Sequence, residues 1–346
     1  MASIEIDLYP HIWDAILSYT RPAELPKMLL VCRALRIRIG RIQCTHLVLS
    51  ARPRNDVVAV RAARPVWGDY SPTTERIPGL RTISPISWGQ LPPHPAIDLT
   101  VGTQVLDIKG FVPPTTNLTG LAFAFPALKI LRMRTCPKGG YTPYLPVPAP
   151  TVVLFTNSQG EDPDPVFYDL SFDGDDSEDE SPVVPEGVRC GIPEGTRKLV
   201  INMKGNDVPI ADMFQGVLDP PKSLRELALV IPAYTRGKYH GRMPGIFMDH
   251  IVGMDTIELF MAYYDEECTF TIVGADEVLP GYNLRGIMAD HLRKTFMFGG
   301  LKPPGNGPGK AAKIKEVLDL IQFISRGEYI ARVGKRIAEL ETVERL

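Results

Sequence analysis

Leu224-Arg225-Glu226-Leu227-Ala228-Leu229 places leucines at its first, fourth and sixth positions, with two charges between the first pair. The Leu227-x-Leu229 alternation points every second side chain to one side, which is how a half-buried strand is written. The same short pattern returns along the chain. It stands at His46-Leu47-Val48-Leu49, Gln104-Val105-Leu106-Asp107-Ile108, Leu128-Lys129-Ile130-Leu131-Arg132-Met133 and Val152-Val153-Leu154-Phe155. Lys198-Leu199-Val200-Ile201-Asn202-Met203 and Thr256-Ile257-Glu258-Leu259-Phe260 continue it, and Leu80-Arg81-Thr82-Ile83 is a weaker copy.

The copies are nearly periodic. Successive steps are 23 residues (Ile83 to Leu106), 25 (to Leu131), 23 (to Leu154), 46 (to Val200), 27 (to Leu227) and 32 (to Leu259). Leu224-x-x-Leu227-x-Leu229 and Leu128-x-x-Leu131-x-Met133 carry the L-x-x-L-x-L signature, and Gly102, Gly110 and a series of prolines interrupt helices between strands. The region resembles an irregular leucine-rich-repeat array, which implies a curved solenoid that binds protein. An α/β or β-rich globular domain with evenly spaced strands is the other reading.

Upstream, Leu8, Ile12, Ile16 and Leu17, then Leu25, Met28, Leu29, Cys32 and Leu35, recur mostly in threes and fours, the spacing of one helix face. Pro10 suits a first helical turn. Leu8-Tyr9-Pro10-His11-Ile12-Trp13-Asp14-Ala15-Ile16-Leu17-Ser18-Tyr19, with Glu24 to Val31-Cys32-Arg33, resembles the F-box, particularly its fungal type. Tyr9 interrupts the usual Leu-Pro pair, and Thr20 replaces a closing Leu. The resemblance implies contact with the Skp-type adaptor of a cullin–RING ubiquitin ligase through Leu8, Pro10, Ile12, Ile16, Leu17, Leu29, Val31 and Cys32. A plain helical cap for the following domain is the alternative.

The 346 residues, 44% apolar and 23% charged, suit an ordinary globular chain with ample core. A net charge of −2 provides no general attraction to nucleic acid or anionic membrane. Five scattered cysteines form no CxxC or Cys/His cluster, so a reducing compartment, cytoplasmic or nuclear, is expected. The start of the chain lacks a basic n-region, and no apolar run approaches a membrane span.

Asp173-Gly174-Asp175-Asp176-Ser177-Glu178-Asp179-Glu180 concentrates six acids in eight residues. Within 161–185 this composition predicts a disordered loop. Gly299 to Lys310 reads as a Gly/Pro linker; its Gly309-Lys310 fails as a phosphate loop because Pro304 and Ala311 replace the required glycine and hydroxyl. Ile314, Val317, Leu318, Ile321, Phe323 and Ile324 predict one helix, and Tyr329, Val333, Ile337 and Leu340 a second.

No HExxH, Gly-x-Ser-x-Gly or strand-borne GxGxxG occurs, and Cys136 has no nearby base. The arginines at 33, 36, 38, 41, 52, 54, 61 and 64 have few interleaved aromatics, so nucleic acid is not favoured.

The expected architecture is mixed α and β. It comprises an F-box-like helical module over 1–44, an irregular leucine-rich-repeat-like solenoid over 45–298, and a linker with a C-terminal helical lid over 299–346. The expected role is that of a non-catalytic substrate receptor, without cofactor or metal. It joins an unknown protein substrate, held on concave strands or loops, to the Skp-type adaptor and cullin complex. A binding scaffold with no ligase role is the alternative, and nucleic acid and membrane are not expected partners.

Overall fold

The structure, a computed structural model, describes residues 10–20, 44–52, 55–62, 101–109, 125–134, 147–155, 192–202, 221–231, 268–278 and 318–343. It also describes positions 24, 28, 35, 38, 39, 42, 283, 286, 287, 289, 290, 293, 315 and 316. In chain order the elements are α1 (Pro10–Tyr19), β1 (His46–Arg52), β2 (Asn55–Ala62), β3 (Val105–Lys109), β4 (Ile130–Arg134), β5 (Thr151–Phe155) and β6 (Lys198–Asn202). There follow β7 (Glu226–Val230), β8 (Thr269–Val273), α2 (Ala275–Val278), β9 (Ile321–Ile324), α3 (Arg326–Val333) and α4 (Lys335–Thr342).

The strands form a single nine-stranded sheet in the order β2-β1-β3-β4-β5-β6-β7-β8-β9. β2 is antiparallel to β1, and the other eight strands make a parallel sheet. This corrects the expected architecture. The described residues build an α/β sheet with few helices rather than a free-standing helical module followed by a repeat solenoid. The L-x-x-L-x-L signature misled because it encodes only a buried turn residue followed by two inward strand residues. Leu224 and Leu128 anchor turns, while Leu227, Leu229, Leu131 and Met133 lie on strands. Any parallel sheet entered through such turns writes the same pattern.

The chain divides into two compact units, one of residues 1–109, 116–131 and 345–346, the other of 110–115 and 132–344. In the first, α1 groups with β1–β3. A few short helices bury too little surface to stand alone. Leu47 pairs with Leu106 and Leu49 with Ile108, all buried.

In the second unit the ladders align two apolar rows on one face: Val152-Leu199-Leu227-Phe270-Ile321 and Leu154-Ile201-Leu229-Ile272-Phe323. All but the half-buried Phe323 are buried, each contributing about 1.5–3 kcal/mol of apolar transfer. The opposite face mixes Lys198, Asn202, Glu226 and Thr271 with Val153, Val200 and Ala228.

Strands β6 and β7 are entered the same way. Thr196 N–H donates to Pro193 O (3.3 Å) and Leu224 N–H to Pro221 O (3.0 Å), closing four-residue turns. Pro150 O then accepts from Arg197 N–H (2.8 Å) and Lys198 N–H (3.0 Å), and Arg197 O from Arg225 N–H (2.8 Å) and Glu226 N–H (3.0 Å).

The C-terminal helices differ from expectation. Ile321–Ile324 is strand β9, because Ile321 and Phe323 complete the ladder beside Phe270 and Ile272. The second predicted helix is split at Gly334, whose φ of +87° ends α3 and starts α4. The predicted strands at 80–83 and 256–260, the loop at 161–185, the linker at 299–310 and Cys136 lie outside the described residues.

Candidate functional site

Helix α1 has two distinct stripes. Trp13 and Leu17 turn inward; Leu17 is 2% exposed and forms a cluster with Leu35 and Ile39, against which Trp13 and Met28 pack. Ile12, Ile16 and Tyr19, at spacings of four and three, lie on an outward stripe with exposures of 46, 43 and 90%. Thr20 closes the helix, donating from Oγ1 to Ile16 O (2.8 Å) and from N–H to Leu17 O (3.2 Å).

Arg38 fixes the orientation of α1. Its Nε donates to Asp14 Oδ1 at 2.6 Å and its Nη2 to Oδ2 at 3.0 Å, a two-pronged grip. These hydrogen bonds, reinforced by the nearby guanidinium charge, hold the Asp14 carboxyl below its ordinary range.

The eight residues expected to touch an adaptor therefore separate. Ile12 and Ile16 are outward, and Leu17 is internal core. Pro10 opens the helix. The side chain of Pro10, and Leu8, Leu29, Val31 and Cys32 as a whole, lie outside the described residues. Tyr19 was overlooked, although its spacing from Ile12 and Ile16 was the available signal.

The mixed face of the second unit, where a substrate was expected on concave strands, carries α3 and α4. Glu341, 1% exposed, accepts hydrogen bonds at its carboxylate from Lys198 Nζ (3.0 Å) and Tyr329 Oη (2.6 Å). Its backbone oxygen accepts from Asn202 Nδ2 (2.7 Å). Lys198 Nζ also stands 3.6 Å from Glu226 and 5.1 Å from the centre of the Tyr329 ring. Burial, then the Glu341 charge, drives the Tyr329 phenol well above its ordinary range. Arg132, fully buried, lies over the Phe155 ring at 5.0 Å and donates to Val343 O. No sequence signal connects residues so far apart.

In the first unit His46 Nε2 stands 3.1 Å from the buried Asp107, a pairing of adjacent strands β1 and β3. Cys44 and Cys268 are buried free thiols, and burial pushes Cys44 up to about 12. Among the described residues no three His, Cys, Asp or Glu side chains group as metal ligands, and no helix is long and apolar enough to cross a membrane.

Comparison with family models, curated proteins and solved structures gives no match to this chain.

Proposed function

We propose that this chain is a non-catalytic substrate receptor, cytoplasmic or nuclear, whose α1 docks on a Skp-type adaptor of a cullin–RING ubiquitin ligase. The remainder of the chain holds a protein substrate. The observation that carries this reading is the outward stripe Ile12, Ile16 and Tyr19 on a helix already anchored from its other side by Leu17. Removing a half-exposed isoleucine from water against a partner contributes roughly 1 kcal/mol, so several together hold a helix in a groove. Such a receptor works by proximity: it raises the effective concentration of substrate beside the ubiquitin-charged enzyme and supplies no chemistry.

A binding scaffold without a ligase role is the second reading, favoured by the packing of Leu17 with Leu35 and Ile39 into a cap. A pull-down with purified Skp-type adaptor separates the two. The receptor reading expects capture by the wild type and loss with the Ile12→Asp/Ile16→Asp pair. Failure of folded wild type to bind the adaptor overturns it.

A further inference from the structure

The turns that lead into β6 and β7 bring three basic side chains to one edge of the second unit. Arg197, Lys222 and Arg225 are all exposed. Arg197 and Arg225 occupy equivalent positions in adjacent layers, because Arg225 N–H donates to Arg197 O at 2.8 Å. Neighbouring strands in a sheet stand about 4.8 Å apart, so two cationic side chains leave the backbone side by side. Lys222 sits at the second position of the turn beneath Arg225, whose Nη1 donates to Lys222 O (3.0 Å) and Leu224 O (2.9 Å).

The turns are fixed to each other as well as to the sheet. Ser223 Oγ accepts from Gly195 N–H at 3.0 Å and donates to Thr196 O at 2.9 Å. Thr196 Oγ1 donates to Ala149 O at 3.2 Å. The cations are therefore presented on preorganised backbone, which lowers the ordering cost of binding. Among the described residues Arg197 and Lys222 have no acidic partner, and Glu194 is the one exposed acid of these turns.

We propose that this edge, Arg197 with Lys222 and Arg225, binds an acidic peptide segment of a protein partner. Carboxylates of such a segment would pair with Arg197 and Lys222, which meet no acid among the described residues. A nucleic acid strand is disfavoured, because the turns 192–197 and 221–225 carry no aromatic ring on which a base could stack. This deepens the receptor reading by naming the chemistry of its substrate, and it is tested without the adaptor, so either idea can fail alone.

The test is fluorescence anisotropy with a labelled Glu/Asp-rich dodecapeptide, a Lys-rich counterpart and an oligo(dT) strand. The protein is the full chain, together with a form in which the acids of Asp173–Glu180 are amidated to remove competing charge. Binding of the acidic peptide alone is expected, weakening with salt and falling roughly tenfold or more in Arg197→Glu/Lys222→Glu. Arg197→Lys should retain binding. Thermal melts confirm that the charge-reversed protein is folded, as expected for exposed positions. Equal binding by wild type and charge-reversed protein, tighter binding of oligo(dT), or no acidic-peptide binding by either form of the chain overturns the proposal.

Discussion

The Lys198 ammonium on β6 lies 3.0 Å from the Glu341 carboxylate on α4, a buried ion pair between residues 143 positions apart. It decides what the mixed face of the second unit does. Where Lys198, Asn202 and Arg132 would offer polar groups to a visitor, the chain's own C-terminal segment answers them. The face expected to hold a substrate is thereby an internal joint of the second unit.

That joint predicts strong coupling. Lys198→Met leaves the Glu341 carboxylate buried without its cation and should cost about 3 kcal/mol. Glu341→Gln keeps an acceptor for Tyr329 but leaves the ammonium the more distant Glu226, at 3.6 Å. The double substitution should destabilise by less than the sum, with a coupling of roughly 1–3 kcal/mol. Urea unfolding of the four proteins measures it; additive losses would show that the two groups act independently.

Gly274 predicts a position-specific penalty. Its φ is +79°, and a Cβ there would stand 2.9 Å from Arg326 Nε and 3.4 Å from Ile231 O. Arg326 itself donates to Ile231 O and pairs with Glu277 at 3.2 Å. Gly274→Ala should cost about 2 kcal/mol, combining left-handed strain with displacement of Arg326. At Gly334, where φ is +87° and ψ 148° in a region held almost only by glycine, alanine should cost about 1–3 kcal/mol from backbone strain alone, since the space is open. Thermal or urea unfolding measures both, and unchanged stability at either position would refute the strain.

How much of this was legible follows from range. Strands β3–β7 were readable to within two residues and β1 to within three, because alternation of large apolar side chains is a local property. Thr269–Val273 has the same alternation in Phe270 and Ile272 and was passed over for the neighbouring Thr256–Phe260. Ile321–Ile324 was read as helix because Ile314, Val317, Leu318 and Ile321 fall at helical spacing; that spacing runs into a strand within three residues. The Ser325-x-x-Glu328 cap was a local signal for the start of α3. Lys198 with Glu341, and Arg132 with Val343, depend on tertiary closure, and no window of sequence contains both partners.

The cap at α3 is itself testable. Ser325 Oγ accepts from Glu328 N–H at 3.1 Å, and Glu328 Oε2 accepts from Ser325 N–H at 2.7 Å. Ser325→Ala should cost about 1 kcal/mol. The Ser325 backbone and hydroxyl hold the Glu328 carboxyl below its ordinary range. A depressed carboxyl adds stability above its unfolded pKa, and that stability is lost as pH falls through the folded value. Glu328→Gln should therefore flatten the acid limb of the stability–pH curve, read from urea midpoints. An unchanged limb contradicts the linkage.

Cys44 controls part of the alkaline limb. Burial raises its thiol from 9.0 to about 12. A raised pKa means that the contribution is complete below 9 and declines as pH climbs towards 12, because the unfolded chain ionises first. Tyr329 shifts in the same direction. Cys44→Ala should lose less stability than wild type between pH 8 and roughly 10.5, and native Cys44 should resist iodoacetamide. Rapid alkylation in the folded protein would contradict the burial.

The sharpest prediction concerns neighbours on α1. Ile16 is 43% exposed and Leu17 2% exposed, so the same substitution at each should fail differently. Leu17→Asp buries a carboxylate against Leu35 and Ile39 and should unfold or severely destabilise the first unit, by about 3 kcal/mol or more. Ile16→Asp meets water and should shift stability by about 0.5 kcal/mol or less. If α1 docks on an adaptor, Ile16→Asp nevertheless abolishes capture by a protein whose melting curve is unchanged. Loss of binding without loss of fold is the signature of an interface residue. Retained capture by Ile16→Asp, alongside an unfolded Leu17→Asp, would leave α1 as a cap held by Trp13 and Leu17, with nothing gripping its outer stripe.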